Sequence, residues 1–115
     1  MEVQIFGVKK SADTRKAQRF FAERRIKVHL VDLMDRAASP GELRRFQQKF
    51  GVTALIDKSA RRYAELGLAS SRMGDERWMQ LLADEPLLLQ MPLVRNGNQL
   101  TIGAAEAVWK EWCGK

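Results

Sequence analysis

The strongest constraint on this chain is the order of its first three apolar patterns. Val3-Gln4-Ile5-Phe6 is a short run of β-branched and aromatic residues closed by Gly7. Val28 to Leu33 is a second such run, apolar apart from His29 and Asp32. Between them Ala17, Phe20 and Phe21 recur at helical spacing, with Arg15, Lys16, Arg19 and Glu23 on the other faces, which predicts a helix running to about Arg25. Ser11 is placed to cap that helix, and Asp13 lies near the positive end of its dipole. A strand–helix–strand start predicts parallel pairing through a right-handed crossover. The almost unbroken apolar character of the second strand predicts cover on both faces.

The remainder supplies a helical middle and a second sheet half. Ser39-Pro40-Gly41-Glu42 combines a capping serine, a first-turn proline and a glutamate three residues after the cap. Leu43, Phe46 and Phe50 are expected on the inner face of that helix, and Gly51 at its end. From Val52 to Leu68 the pattern reads as short helical turns, Arg61 to Leu66 among them. Asp75 to Ala83 reads as a helix with Trp78, Met79 and Leu82 at helical spacing. Leu93-Val94-Arg95 and Leu100-Thr101-Ile102 flank Asn96-Gly97-Asn98-Gln99, a strong hairpin signal because Asn-Gly tolerates positive φ at both residues. A last helix carries Ala105, Val108, Trp109 and Trp112 along one stripe. The order is β-α-β, a helical insertion, then β-β-α, and 115 residues are enough for one core, so residues 1–115 are expected to form a single domain.

Composition bounds the function classes. Hydrophobic content of 45% and charged content of 30% belong to a soluble globular chain. The apolar run from Pro86 to Val94 is far short of the ~20 residues that span a bilayer, and nothing at the N-terminus resembles a secretory signal, so a cytoplasmic protein with no membrane partner is expected. A net charge of +6 permits nucleic acid or an acidic protein as partner. The basic pairs Arg24-Arg25, Arg44-Arg45 and Arg61-Arg62 are nevertheless interleaved with Glu23, Glu42 and Glu65, as on solvated helix faces. The single cysteine, Cys113, excludes an internal disulfide, and any redox cycle would need an external thiol. It reads as a small hydrophobe beside Trp112. His29 has no cysteine or acidic cluster around it in the sequence, so it reads as structural and no metal site is expected.

Three segments carry a family resemblance. Ile5 to Ala17 (IFGVKKSADTRKA) resembles the opening of the arsenate reductase (ArsC)/Spx family, Tyr63 to Leu68 (YAELGL) is similar to a later family segment, and Glu85 to Val94 (EPLLLQMPLV) to a third. The resemblance covers essentially the whole chain, in order. It implies a thioredoxin-like α/β fold, a four-stranded mixed sheet (βαβ + ββα) with a helical insertion and a cis Pro92 ahead of the third strand. It also places Ser11 where the family keeps its nucleophilic cysteine, and Thr14 where some members have a second one. In the family a helix N-terminus lowers the pKa of that cysteine, whereas a serine hydroxyl has no thiol–disulfide cycle. The arginines that bind the oxyanion in true reductases are replaced by Met91, at or near Asp57, and near Ile102 or Gly103. These departures imply a protein without classical arsenate reductase activity, acting as a binding or regulatory module. By analogy with Spx its partner could be RNA polymerase. The competing implication is a glutathione-dependent oxidoreductase of the glutaredoxin or arsenate reductase type. Lys9, Lys10, Ser11, Thr14, Arg15 and Pro92 are the candidates for holding an anion or glutathione. Ser11 as a plain helix cap remains the alternative.

Overall fold

The computed structural model describes residues 1–114. In chain order the elements are β1 (Glu2–Gly7), α1 (Ala12–Glu23), β2 (Lys27–Asp32), α2 (Pro40–Phe50), α3 (Val52–Leu55) and α4 (Arg61–Glu65). Then follow a 3-10 turn (Leu68–Ser70), α5 (Asp75–Asp84), a second 3-10 turn (Pro86–Leu88), β3 (Leu93–Asn96), β4 (Gln99–Ile102) and α6 (Glu106–Trp112). They form two compact units, one running from Met1 to Arg36 and resuming at Met91, the other Ala37–Gln90.

In the first unit the strands order as β2-β1-β3-β4, with β1 and β2 parallel and the other pairs antiparallel. Alternation along β1 sends Val3 and Ile5 to one face, where they meet Ala17, Phe20 and Phe21 of α1, Val94 of β3 and Trp109 of α6. Trp109 is fully buried and donates its indole N–H to Thr101 Oγ1 at 2.8 Å, which removes the cost of burying both polar atoms. Its ring lies 5.4 Å from those of both Phe20 and Phe21, so the helix docks through aromatic packing.

Several expectations are corrected here. β2 is an edge strand and not one covered on both faces: only Val31 of its six residues is buried, and His29 is exposed. α1 stops at Glu23, and the chain turns through Arg25 at φ 60°, a left-handed conformation taken here without a glycine. In the hairpin the two central residues are Gly97 and Asn98, and Gly97 alone has positive φ, so glycine occupies the first central position as in a II′ turn. Val108 faces solvent rather than the stripe of Trp109.

In the second unit Ser39 forms a complete capping box with Glu42, and Gly51 ends α2 at φ 84°. Leu43 and Phe46 are buried, but Phe50 is 36% exposed, with the Lys49 ammonium 5.5 Å above its ring. α2, α3 and α5 pack together around Leu82, which is fully buried, while Trp78 and Met79 are half-buried. Asp57 N–H to Leu88 O at 2.7 Å and Gln90 N–H to Leu55 O at 2.8 Å tie the stretch just after α3 to the C-terminal end of this unit. Arg62 grips Glu85 with a two-pronged bond of 2.8 and 3.1 Å, joining α4 to the second 3-10 turn. Among the described residues no helix is long and apolar enough to cross a membrane.

Candidate functional site

The turn from Gly7 to Ser11 joins β1 to α1, and its shape follows from two contacts. Ser11 N–H donates to Val8 O at 3.0 Å, closing the turn, and Gly7 lets α1 come close to the strand. A Cβ at Gly7 would overlap Thr14 Oγ1 and lie 2.7 Å from Thr14 Cγ2. Ser11 is extended (φ −72°, ψ 119°), and its Oγ accepts from Thr14 N–H at 3.2 Å. Among the described residues the N–H groups of Ala12 and Asp13 have no acceptor, at the positive end of a 12-residue helix.

Charge gathers on this turn. Lys9 and Lys10 are exposed, and Arg15 Nη1 donates to Lys9 O at 2.8 Å, so Arg15 clamps the turn as well as adding a cation. A carboxylate opposes them: Asp32, at the end of β2, lies 4.0 Å from Lys9 Nζ and accepts from Met34 N–H at 3.0 Å. Sequence reasoning missed Asp32. Its signal was the one acidic break near the end of an apolar strand.

Thr14 is placed differently from the other candidates. Its residue is 1% exposed, its side chain packs on Gly7, and its Oγ1 has no hydrogen-bond partner among the described residues. The hydroxyl faces the strand and not solvent. Pro92 is buried and follows a cis Met91–Pro92 bond. The register pairs Phe6 with Leu93, so Pro92 stands beside Gly7 at the same end of the sheet, and its carbonyl accepts from Gly103 N–H at 2.8 Å. The structure therefore gathers Lys9, Lys10 and Ser11 on one turn, with Arg15 of α1 bonded to it and Pro92 at the adjoining strand end.

Other singled-out residues lie elsewhere. Cys113 caps α6 and is half-buried beside Trp112, whose ring stacks on Phe21 at 6.4 Å. Phe21 is ten residues beyond Ser11, about 15 Å along the axis of α1. The thiol thus lies towards the C-terminal end of α1, away from Ser11. His29 bonds Glu2 at 2.7 Å at the opposite end of β1, and the hydrogen bond and charge of His29, with Lys27, hold the Glu2 carboxyl below its ordinary pKa. Asp57 accepts from Ser59 N–H at 3.0 Å and Ser59 Oγ at 2.6 Å, so it is satisfied within its own turn. Met91 and Ile102 are half-buried, and Gly103 has φ 75°, where any side chain is strained. Among the described residues no cluster of three metal-ligating side chains occurs.

Known proteins match over this whole frame. YusI, an uncharacterised protein of Bacillus subtilis, is 24% identical over 115 residues, covering 96% of this chain and 98% of its own. An arsenate reductase of Neisseria meningitidis is 26% identical over 105 residues, covering 89% of this chain and 90% of its own. The solved arsenate reductase from Vibrio cholerae superposes with a TM-score of 0.83 at 25% identity, covering 96% of this chain and 97% of that one. The mixed sheet flanked by α1 and α6 is thioredoxin-like. The ArsC family matches residues 6–112, from β1 to the last residue of α6, and the chain belongs to the ArsC family.

Proposed function

We propose that this chain is an ArsC-family protein without classical arsenate reductase activity, a cytoplasmic binding or regulatory module with Ser11 at the position of the family's nucleophilic cysteine. The observation that carries the reading is the placement of its only thiol. Cys113 packs towards the far end of α1, while the free N–H groups and cations surround Ser11. A serine there caps the helix and has no oxidised partner state to cycle through. What this end offers is recognition: Lys9, Lys10 and the N–H groups of Ala12 and Asp13 suit a carboxylate or phosphate, such as one end of glutathione or an acidic group on a protein partner. Polymerase binding, the role of Spx, is one such partnership.

A second reading is favoured by the 26% identity to an arsenate reductase: a glutathione-dependent thiol oxidoreductase. It requires Cys113 to supply the thiol or bound glutathione to do the redox chemistry. The two readings separate in one assay, glutathione-dependent reduction of arsenate and of a small disulfide, run on the wild type, Cys113→Ser and Ser11→Cys. The expected result is activity in Ser11→Cys alone. Wild-type activity that disappears in Cys113→Ser would make the protein an enzyme with a displaced thiol and sink the proposal.

A further inference from the structure

We propose that the groove between α1 and α6 is a docking surface for an acidic peptide segment of a partner protein. This surface lies beyond the Ser11 turn and does not depend on the fate of the thiol chemistry. The net charge of the chain is concentrated in the unit that carries it. Residues 1–36 and 91–115 hold 12 lysines and arginines against 7 acids, while residues 37–90 hold 8 against 7.

The groove, a concavity of about 320 Å³, is lined by Lys16, Arg19 and Arg24 from α1 and the turn after it, and by Glu106 and Lys110 from α6. These cations are not equivalent. Lys16 is drawn to Glu106 at 3.8 Å, and Arg24 lies 3.7 Å over the Phe20 ring with its Nη1 bonded to Phe20 O at 3.0 Å. Arg19 and Lys110 are exposed and make no ion pair among the described residues. They face the groove from opposite helices, so two carboxylates on one bound segment would meet both. Arginine in particular presents a planar fork that matches a carboxylate.

The same details favour a peptide over a nucleic acid. Phe20, the groove's aromatic residue, is 5% exposed with Arg24 laid over it, so no ring face is open for base stacking. Glu23 and Glu106 interrupt the cations, and a continuous string of phosphates would run against both. A peptide places its carboxylates one by one and keeps polar residues beside the two glutamates.

The test uses fluorescence anisotropy on the full chain with a fluorescein-labelled peptide of about 12 residues, ~18 Å if helical, bearing glutamates on one face. The protein is compared with Arg19→Glu/Lys110→Glu, with the neutral pair Arg19→Gln/Lys110→Gln, and with Arg44→Glu/Arg45→Glu on α2 as a charge-matched control. The expected result is binding that weakens about tenfold or more in the first pair and by less in the neutral pair, and that stays near wild type in the control. The neutral pair keeps the outcome readable should the reversed pair fail to fold. Absence of peptide binding, or equal loss in the control, would overturn the proposal. So would single-stranded oligothymidylate binding more tightly than the peptide with the same residue dependence, which would make the groove a nucleic-acid surface.

Discussion

Gly7 carries no side chain because α1 passes so close to it. An added methyl would overlap Thr14 Oγ1, lie 2.7 Å from Cγ2 and 3.0 Å from the Thr14 Cβ, so rotating the side chain cannot relieve the clash. The helix itself would have to shift, and overpacking of that kind costs about 1–3 kcal/mol. Gly7→Ala should therefore lower the urea midpoint by an amount in that range. Thr14→Ala removes Oγ1 and Cγ2, the two nearest atoms, and leaves only the Cβ contact at 3.0 Å, so the double variant should lose clearly less than the sum of the two single variants. Strict additivity of the three free energies would show that the clash is absent. This contact also sets the approach of the Ser11 turn to the strand, so a residue with no chemistry of its own positions the N-terminal end of α1.

At the scale of elements, α4 and the 3-10 turn at Pro86–Leu88 are joined by the Arg62–Glu85 fork. The Arg62 hydrogen bonds hold the Glu85 carboxyl below its ordinary value of 4.5. A carboxyl with a depressed folded pKa contributes stability above its unfolded value and loses it as pH falls through the lower folded one. Amide exchange in α4, corrected for the intrinsic pH effect, should accelerate below about pH 4.5 in the wild type. In Glu85→Gln that acceleration should be absent; its persistence would assign it to another acid. Nothing in the sequence announced this pair, whose members are 23 residues apart. What was legible was local: the Ser11 cap, the Ser39–Glu42 box and the Gly51 stop are each written within a few residues. What was illegible depended on neighbours in space. β2 has the apolar content of a central strand yet lies at the edge, and Phe50 fits the helical stripe of Leu43 and Phe46 yet carries Lys49 over an exposed ring.

The same division holds for the molecule as a whole. Lys9, Lys10, Ser11 and Arg15 are contiguous enough to be read as one turn, whereas Asp32 enters by strand pairing and the α1–α6 groove by helix packing. Charge distribution is the property that sequence alone counts but cannot place. The folded chain puts five of its six excess positive charges in the unit containing the sheet and leaves Ala37–Gln90 close to balance. At an ionic strength of about 0.01 M the screening length is ~30 Å, and the cations of the basic unit repel one another across its surface. Near 0.15 M it is ~8 Å, and most of that repulsion is lost. The Lys16–Glu106 pair weakens too, but its partners are about half exposed, and such pairs contribute at most about 1 kcal/mol. Relief of repulsion should win. Raising sodium chloride between these two values should slow amide exchange in α1 and leave α2 nearly unchanged. Exchange in α1 that instead speeds up would mean its local ion pairs outweigh the excess charge, and an equal change in both helices would mean the imbalance between the two units has no energetic effect.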